Sequence, residues 1–176
     1  MASRIDIDQS TVLERVVAQL RSALNLGERQ VYETLDTNYL PRIPTGGAFF
    51  LAVSAADSTF PEGEQTPGNL TEDWGVFVTA YTRIKLDSTD RDEKTLRDAS
   101  RGLLSIKRKI LAALVGQDLT TEDGDTFLRQ TLFARSCGRP EAKEMPNKVP
   151  IGVITLEFGV SFDWDVGLDF DADGEE

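Results

Sequence analysis

The sequence predicts an α+β fold: a mainly antiparallel sheet of about four strands, two amphipathic helices packed on it, and long strands extending as arms. Three observations predict it. From Ile154 to Val166 every even-numbered residue is apolar and every odd-numbered one is polar or glycine, the period of a strand with one dry and one wet face. Two other stretches repeat apolar residues three and four apart, the period of a helix with one buried side. The strand-like stretches mostly follow one another across Gly- and Pro-bearing loops, which favours antiparallel pairing and a single α+β layer arrangement.

The first helix is expected over residues 12–26. Thr11 and Glu14 form a T-x-x-E capping box, Leu13, Val16, Val17, Leu20 and Leu24 share a side, and Gly27 supplies a left-handed stop. Residues 48–53 are continuously apolar between turn residues, as in a strand buried on both faces. Residues 57–73 hold Pro, Gly and five acids with no base, and are expected to form a long loop, either a hairpin tip or a binding loop.

The second alternating strand is expected over residues 74–86, with Trp74, Val76, Val78, Ala80, Ile84 and Leu86 on one face. Asp90 and Glu93 then signal the start of one continuous helix ending at Gly116. Its apolar side includes Leu96, Ala99, Leu103, Ile106, Ile110 and Ala113. A third strand over residues 127–137 alternates more weakly, residues 138–150 are expected as loop, and the long strand follows. Residues 1–166 are thus expected as one domain and 167–176 as an acidic tail.

The formal charge is −11, from 30 acidic and 19 basic residues. Seven of the acids, Asp163, Asp165, Asp169, Asp171, Asp173, Glu175 and Glu176, lie in the last fourteen positions with no base among them. That balance opposes broad binding of nucleic acid, which needs clustered Lys and Arg. The chain has no histidine, so the usual general base and the usual zinc ligand are absent. Its single cysteine, Cys137, cannot form an internal disulfide and is expected as a buried structural thiol. No apolar run approaches the ~20 residues that cross a bilayer, and no signal peptide is visible at the N-terminus. These features point to a protein made in a reducing cytoplasm, without a membrane partner.

The tail from Asp169 to Gly174 matches the opening of an EF-hand loop, but the glutamate required at position twelve is not there, so a solvated acidic segment is the expectation. Asp163 and Asp165 could pair as acid and base, yet they merge into a run of like charge rather than a cleft. With no phosphate-binding loop and no nucleophile–base pair, the chain is expected to be neither an enzyme nor a cofactor protein. The predicted second helix gathers acids early and bases late, as the helix dipole favours. Its bases Arg101, Lys107, Arg108 and Lys109 serve either as a solvated face or as a contact with acidic surface of a neighbouring copy, such as the tail.

The run Val76-Phe77-Val78-Thr79-Ala80-Tyr81-Thr82-Arg83, followed by the Asp90-capped helix through Leu103 and Ile106-Lys107-Arg108-Lys109-Ile110-Leu111, resembles the tail terminators of long-tailed bacteriophages, also called tail-completion or neck proteins. The resemblance covers most of residues 10–166, in layout more than in identity. It implies a virion protein of the tail or neck, assembled in the host cytoplasm. It further implies a ring, usually a homohexamer, that caps the tail tube protein and joins it to the head–tail connector protein. Genomic DNA would pass through the lumen without specific binding. Glu157, Asp163, Asp165, Asp169 and Asp171 are then expected to face that lumen or a neighbouring subunit. The alternatives are another head–tail neck or tube-initiator protein, and a non-viral cytoplasmic binding module.

Overall fold

A computed structural model describes residues 9–35, 49–61, 69–84, 91–117, 131–144 and 149–165. The elements are α1 (Gln9–Leu24), β1 (Val31–Glu33), β2 (Phe49–Thr59), β3 (Asn69–Arg83), α2 (Arg91–Arg97), α3 (Leu103–Leu114), β4 (Phe133–Cys137), β5 (Glu141–Glu144) and β6 (Pro150–Asp165). They form an α+β domain with one sheet of order β1-β2-β3-β6-β4, and β5 also pairs with β6. All pairs are antiparallel except β1 with β2.

The period-two pattern sets the core. On one face Leu51 and Val53 of β2, Trp74, Val76, Val78 and Ala80 of β3, and Ile154, Leu156, Phe158 and Val160 of β6 pack against the helices. The helices contribute Val12, Val16, Val17 and Leu20 from α1 and Leu103, Ile106, Ile110 and Leu114 from α3. At ~25 cal/mol per Å² of apolar surface removed from water, this shared layer is the main force holding helices to sheet. Strands β3 and β6 run in unbroken register from Asn69 opposite Asp165 to Arg83 opposite Ile151. At ~3.3 Å per residue, the 16-residue β6 is ~53 Å long.

Several boundaries differ from those expected. Helix α1 begins at Gln9, so Thr11 and Glu14 lie within it rather than capping it. The Gln9 side chain reaches the sheet instead, donating from Nε2 to the carbonyls of Ala56 (3.2 Å) and Gly75 (3.1 Å). The left-handed stop falls on Asn25, at φ 51°, not on Gly27. The two ends of the 57–73 stretch are sheet: β2 continues to Thr59 and β3 begins at Asn69, so a hairpin is formed, with residues 62–68 outside the described residues. The expected loop over 138–150 contains β5, and the short parallel β1 was not expected.

The predicted single helix over 90–115 is two helices, and Asp98 is the reason. Its Oδ1 accepts from the backbone N–H of Ser100 (2.9 Å) and Arg101 (3.1 Å) and from the Ser100 hydroxyl (2.6 Å). An aspartate that bonds the backbone two and three residues on offers the chain a turn in place of a helix. The turn closes at Gly102, whose N–H donates to the Asp98 carbonyl at 2.8 Å. The Ser100 hydroxyl first, then the Ser100 and Arg101 amides, with a contribution from the Arg101 guanidinium, lower the Asp98 pKa from 3.8 to about 2, against a small opposing effect of burial. Because the folded value lies below the unfolded one, this stabilisation is present above pH 3.8 and is lost as pH falls toward 2. Thermal unfolding between those limits should show a component of acid sensitivity that an Asp98→Asn variant lacks.

Candidate assembly surfaces

All three described helices lie against the even-numbered positions of β6, which leaves the opposite face of the sheet free of helices among the described residues. That face has two halves. Near β1 it is apolar and buried, with Ala52, Tyr81, Ile151 and Val153 in one cluster and Tyr32 packed against them. Further along it becomes polar: the hydroxyls of Thr79 and Thr155 meet at 3.0 Å across the β3–β6 pair.

Beyond the threonines lies an ion-bridged patch built on a glycine pair. Gly75 of β3 and Gly159 of β6 are register partners. Without side chains they leave a shallow slot, and Arg135 of β4 lies across it. A Cβ on Gly159 would overlap Arg135 Nε and stand 2.7 Å from Phe133 Cζ, while one on Gly75 would stand 3.3 Å from Arg135 Nη1. The guanidinium thereby reaches over β6 to Asp73 Oδ2 on β3 (3.5 Å) and to Glu157 Oε1 on β6 (3.7 Å). Ser161 donates to Asp73, and Ser136 donates to Glu157 Oε2 at 2.9 Å. The Arg135 guanidinium also stacks 5.7 Å from the Phe133 ring.

This arrangement pins an edge strand to the centre of the sheet. Strand β4 pairs with β6 over only a few residues and carries a register shift between Ala134 and Ser136. Such a bulge re-aims the side chains around it, here setting Arg135 inward over the slot. Arg135→Met, which keeps the length but removes the charge, should cost about 2 kcal/mol by stranding two half-buried carboxylates. Urea unfolding would show this as a lower midpoint at unchanged slope.

The residues predicted to meet a lumen or a neighbour are dispersed. Glu157 is engaged within its own chain by Arg135 and Ser136. Asp163 and Asp165 continue β6, in register with Thr71 and Asn69 of β3. Asp169 and Asp171 lie outside the described residues, as does the EF-hand-like segment. Arg101 is held by Asp98 at 3.6 Å. Lys109 donates to the Ser100 carbonyl at 3.1 Å and sits 5.9 Å over the Phe49 ring. Both of these bases therefore brace the α2–α3 junction. Lys107 and Arg108 have no ion-pair partner among the described residues, and Arg108 is exposed on α3.

Cys137 is exposed on β4, correcting the expectation of a buried thiol. The strand ends at the sheet margin, where its Sγ lies 3.3 Å from the Gly138 carbonyl. Sequence reasoning also missed Arg135, Asp73 and their glycine seat. The available signal was a pair of glycines inside two strand patterns, which marks a close approach by another group. No group of three or more potential metal ligands occurs among the described residues. No described helix is long and apolar enough to cross a membrane.

No family model and no curated protein matches the chain. Among solved structures, it is similar to a chain of one described as "Virion of native gene transfer agent (GTA) particle". The two share 19% identity over 89% of this chain and 94% of that one, with a TM-score of 0.40.

Proposed function

We propose that this chain is a structural protein of a phage-like particle, a tail terminator that closes into a ring on the end of the tail tube and joins it to the head connector. The observation that carries the proposal is the sheet's length relative to its helices. The N-terminal end of α1 meets the sheet at Ala56 and Gly75, and beyond that level β2, β3 and β6 continue to Thr59, Asn69 and Asp165. A three-stranded arm with no helix layer over it among the described residues gains stability when a neighbouring subunit covers it. On the sheet face that the described helices leave uncovered, the patch of Arg135, Asp73 and Glu157 stays partly exposed and supplies a rigid polar surface for a neighbour.

The charge fits a DNA conduit. An acidic surface repels phosphates, so DNA moves past it without sticking. A sequence without histidine lacks the commonest general base, which is in keeping with a building block.

The test is native mass by light scattering on the purified chain, followed by electron microscopy of the same sample with and without tail tubes. Rings of about six copies, free or on tube ends, are the expected result. A chain that stays monomeric and leaves tube ends bare would overturn the proposal and favour a binding module. Rings that bind the portal side but not the tube would favour another neck component.

A further inference from the structure

The outward side of α3 carries an apolar stripe that its own sheet does not use. Leu104 and Val115 are 41% and 46% exposed, and Ala112 is exposed between them. Positions 104, 108, 112 and 115 are spaced four, four and three apart, so they align along one side of the helix. Arg108 sits within that stripe and Lys107 stands beside it, the two bases that the α2–α3 junction leaves uncommitted.

Beyond Asp165 the sequence continues with apolar Val166, Leu168, Phe170 and Ala172, interleaved with Asp169, Asp171 and Asp173. Bound in an extended conformation, such a sequence would turn its apolar residues to one side and its acids to the other. Its chemistry is complementary to the stripe and its two bases.

The path of β6 decides which copy of α3 this segment can reach. The start of α3 lies over Gly152, where an added Cβ would be 3.1 Å from Leu103 Cδ1. Just past its end, the Gly116 N–H bonds the carbonyl of Leu132, the neighbour of Phe133, which pairs with Gly159. Helix and strand thus run side by side, and β6 then carries the chain ~20 Å further to Asp165. Arg108 lies ~10 Å back along α3 from Val115. Asp169 can stand at most ~14 Å from Asp165, and Asp171 at most ~22 Å. Asp169, the first acid past the strand, cannot return to Arg108 of its own chain even with both side chains extended.

We infer that residues 166–173 of one copy dock on the outer side of α3 of a second copy, with apolar positions on Leu104, Ala112 and Val115 and acids on Lys107 and Arg108. This rests on the proposed self-assembly and names the contact that links successive subunits. It is a helix face receiving an extended peptide, with charge fixing the register.

The experiment uses full-length chains in a Cys137→Ser background. One chain carries Arg108→Cys, the other Asp169→Cys, and the two are mixed under mild oxidation. A covalent dimer containing one chain of each kind is expected. Pairing no better than that of a Ser22→Cys control on α1 would overturn the inference. So would a double variant that closes only an internal link, because the tail would then occupy its own helix. In a second measurement, Lys107→Glu with Arg108→Glu should weaken self-association about tenfold, and adding Asp169→Lys with Asp171→Lys should restore it. Unchanged association after the first reversal would overturn the inference. Rings seen without the cross-link remove this contact and keep the terminator proposal, whereas the cross-link without rings does the reverse.

Discussion

Replacing Phe158 with alanine should destabilise the protein by about 3–5 kcal/mol, a large share of the stability of a marginally stable domain. Phe158 is fully buried in the middle of β6, opposite Val76 of β3 and Ala134 of β4. It belongs to the layer shared with Ile106 and Ile110 of α3 and Val16 of α1. Truncation removes a large apolar surface and leaves a cavity beneath both helices, where strands fixed by a full ladder of hydrogen bonds cannot collapse inward. Phe158→Leu should cost much less. Urea unfolding of the three proteins side by side measures both differences.

Gly102→Ala should cost about 3 kcal/mol, a large effect for one methyl group. A Cβ there would stand 2.5 Å from the Asp98 amide nitrogen, 2.6 Å from the Asp98 carbonyl oxygen and 2.8 Å from the Leu96 carbonyl oxygen. All three are backbone atoms of the turn that ends α2, so no side chain can swing aside. The backbone torsions at Gly102, φ −66° and ψ 141°, suit any residue, so the expected penalty is steric and not conformational. Relief would come from opening the Asp98 turn, which also releases Arg101 and Lys109 from their bracing positions. The thermal midpoint should fall, and the Asp98-dependent part of the acid response should fall with it.

How much of this was readable from the chain follows from which interactions are periodic. The β6 alternation and the stripes of α1 and α3 gave the fold class, the core face and most of the core residues, because burial repeats at the spacing of the element. The break between α2 and α3 was not legible from apolar spacing, since Leu96, Leu103 and Ile106 keep a helical rhythm across it. It is a local side-chain decision by Asp98, Ser100 and Gly102. Thr11 looked like a cap because the sequence offers a capping box, but the long-range bonds of Gln9 to Ala56 and Gly75 extend the helix past it. Of the residues proposed for assembly, Arg101 and Lys109 turned inward to neighbours that only the turn brings near. Lys107 and Arg108 kept the outward position that a plain helix would give them. The Arg135 bridge joins β3, β6 and β4; Gly75 and Gly159 mark a close approach there, but nothing local names Arg135, from a third strand, as the group that fills it.

The β3–β6 pairing also has a kinetic consequence. These central partners are separated in sequence by both α2 and α3 and by the edge strands, so the sheet cannot close until the last strand has been synthesised. The β2–β3 hairpin is complete much earlier and displays apolar residues on both faces, Leu51 and Val78 on one and Ala52 and Tyr81 on the other. Native contacts dominated by such distant pairings make folding slow, and they lengthen the time a half-made sheet offers β3 as an open edge. A nascent chain of this design therefore depends on the speed with which its own C-terminal strand arrives to fill the gap before another chain's hairpin does.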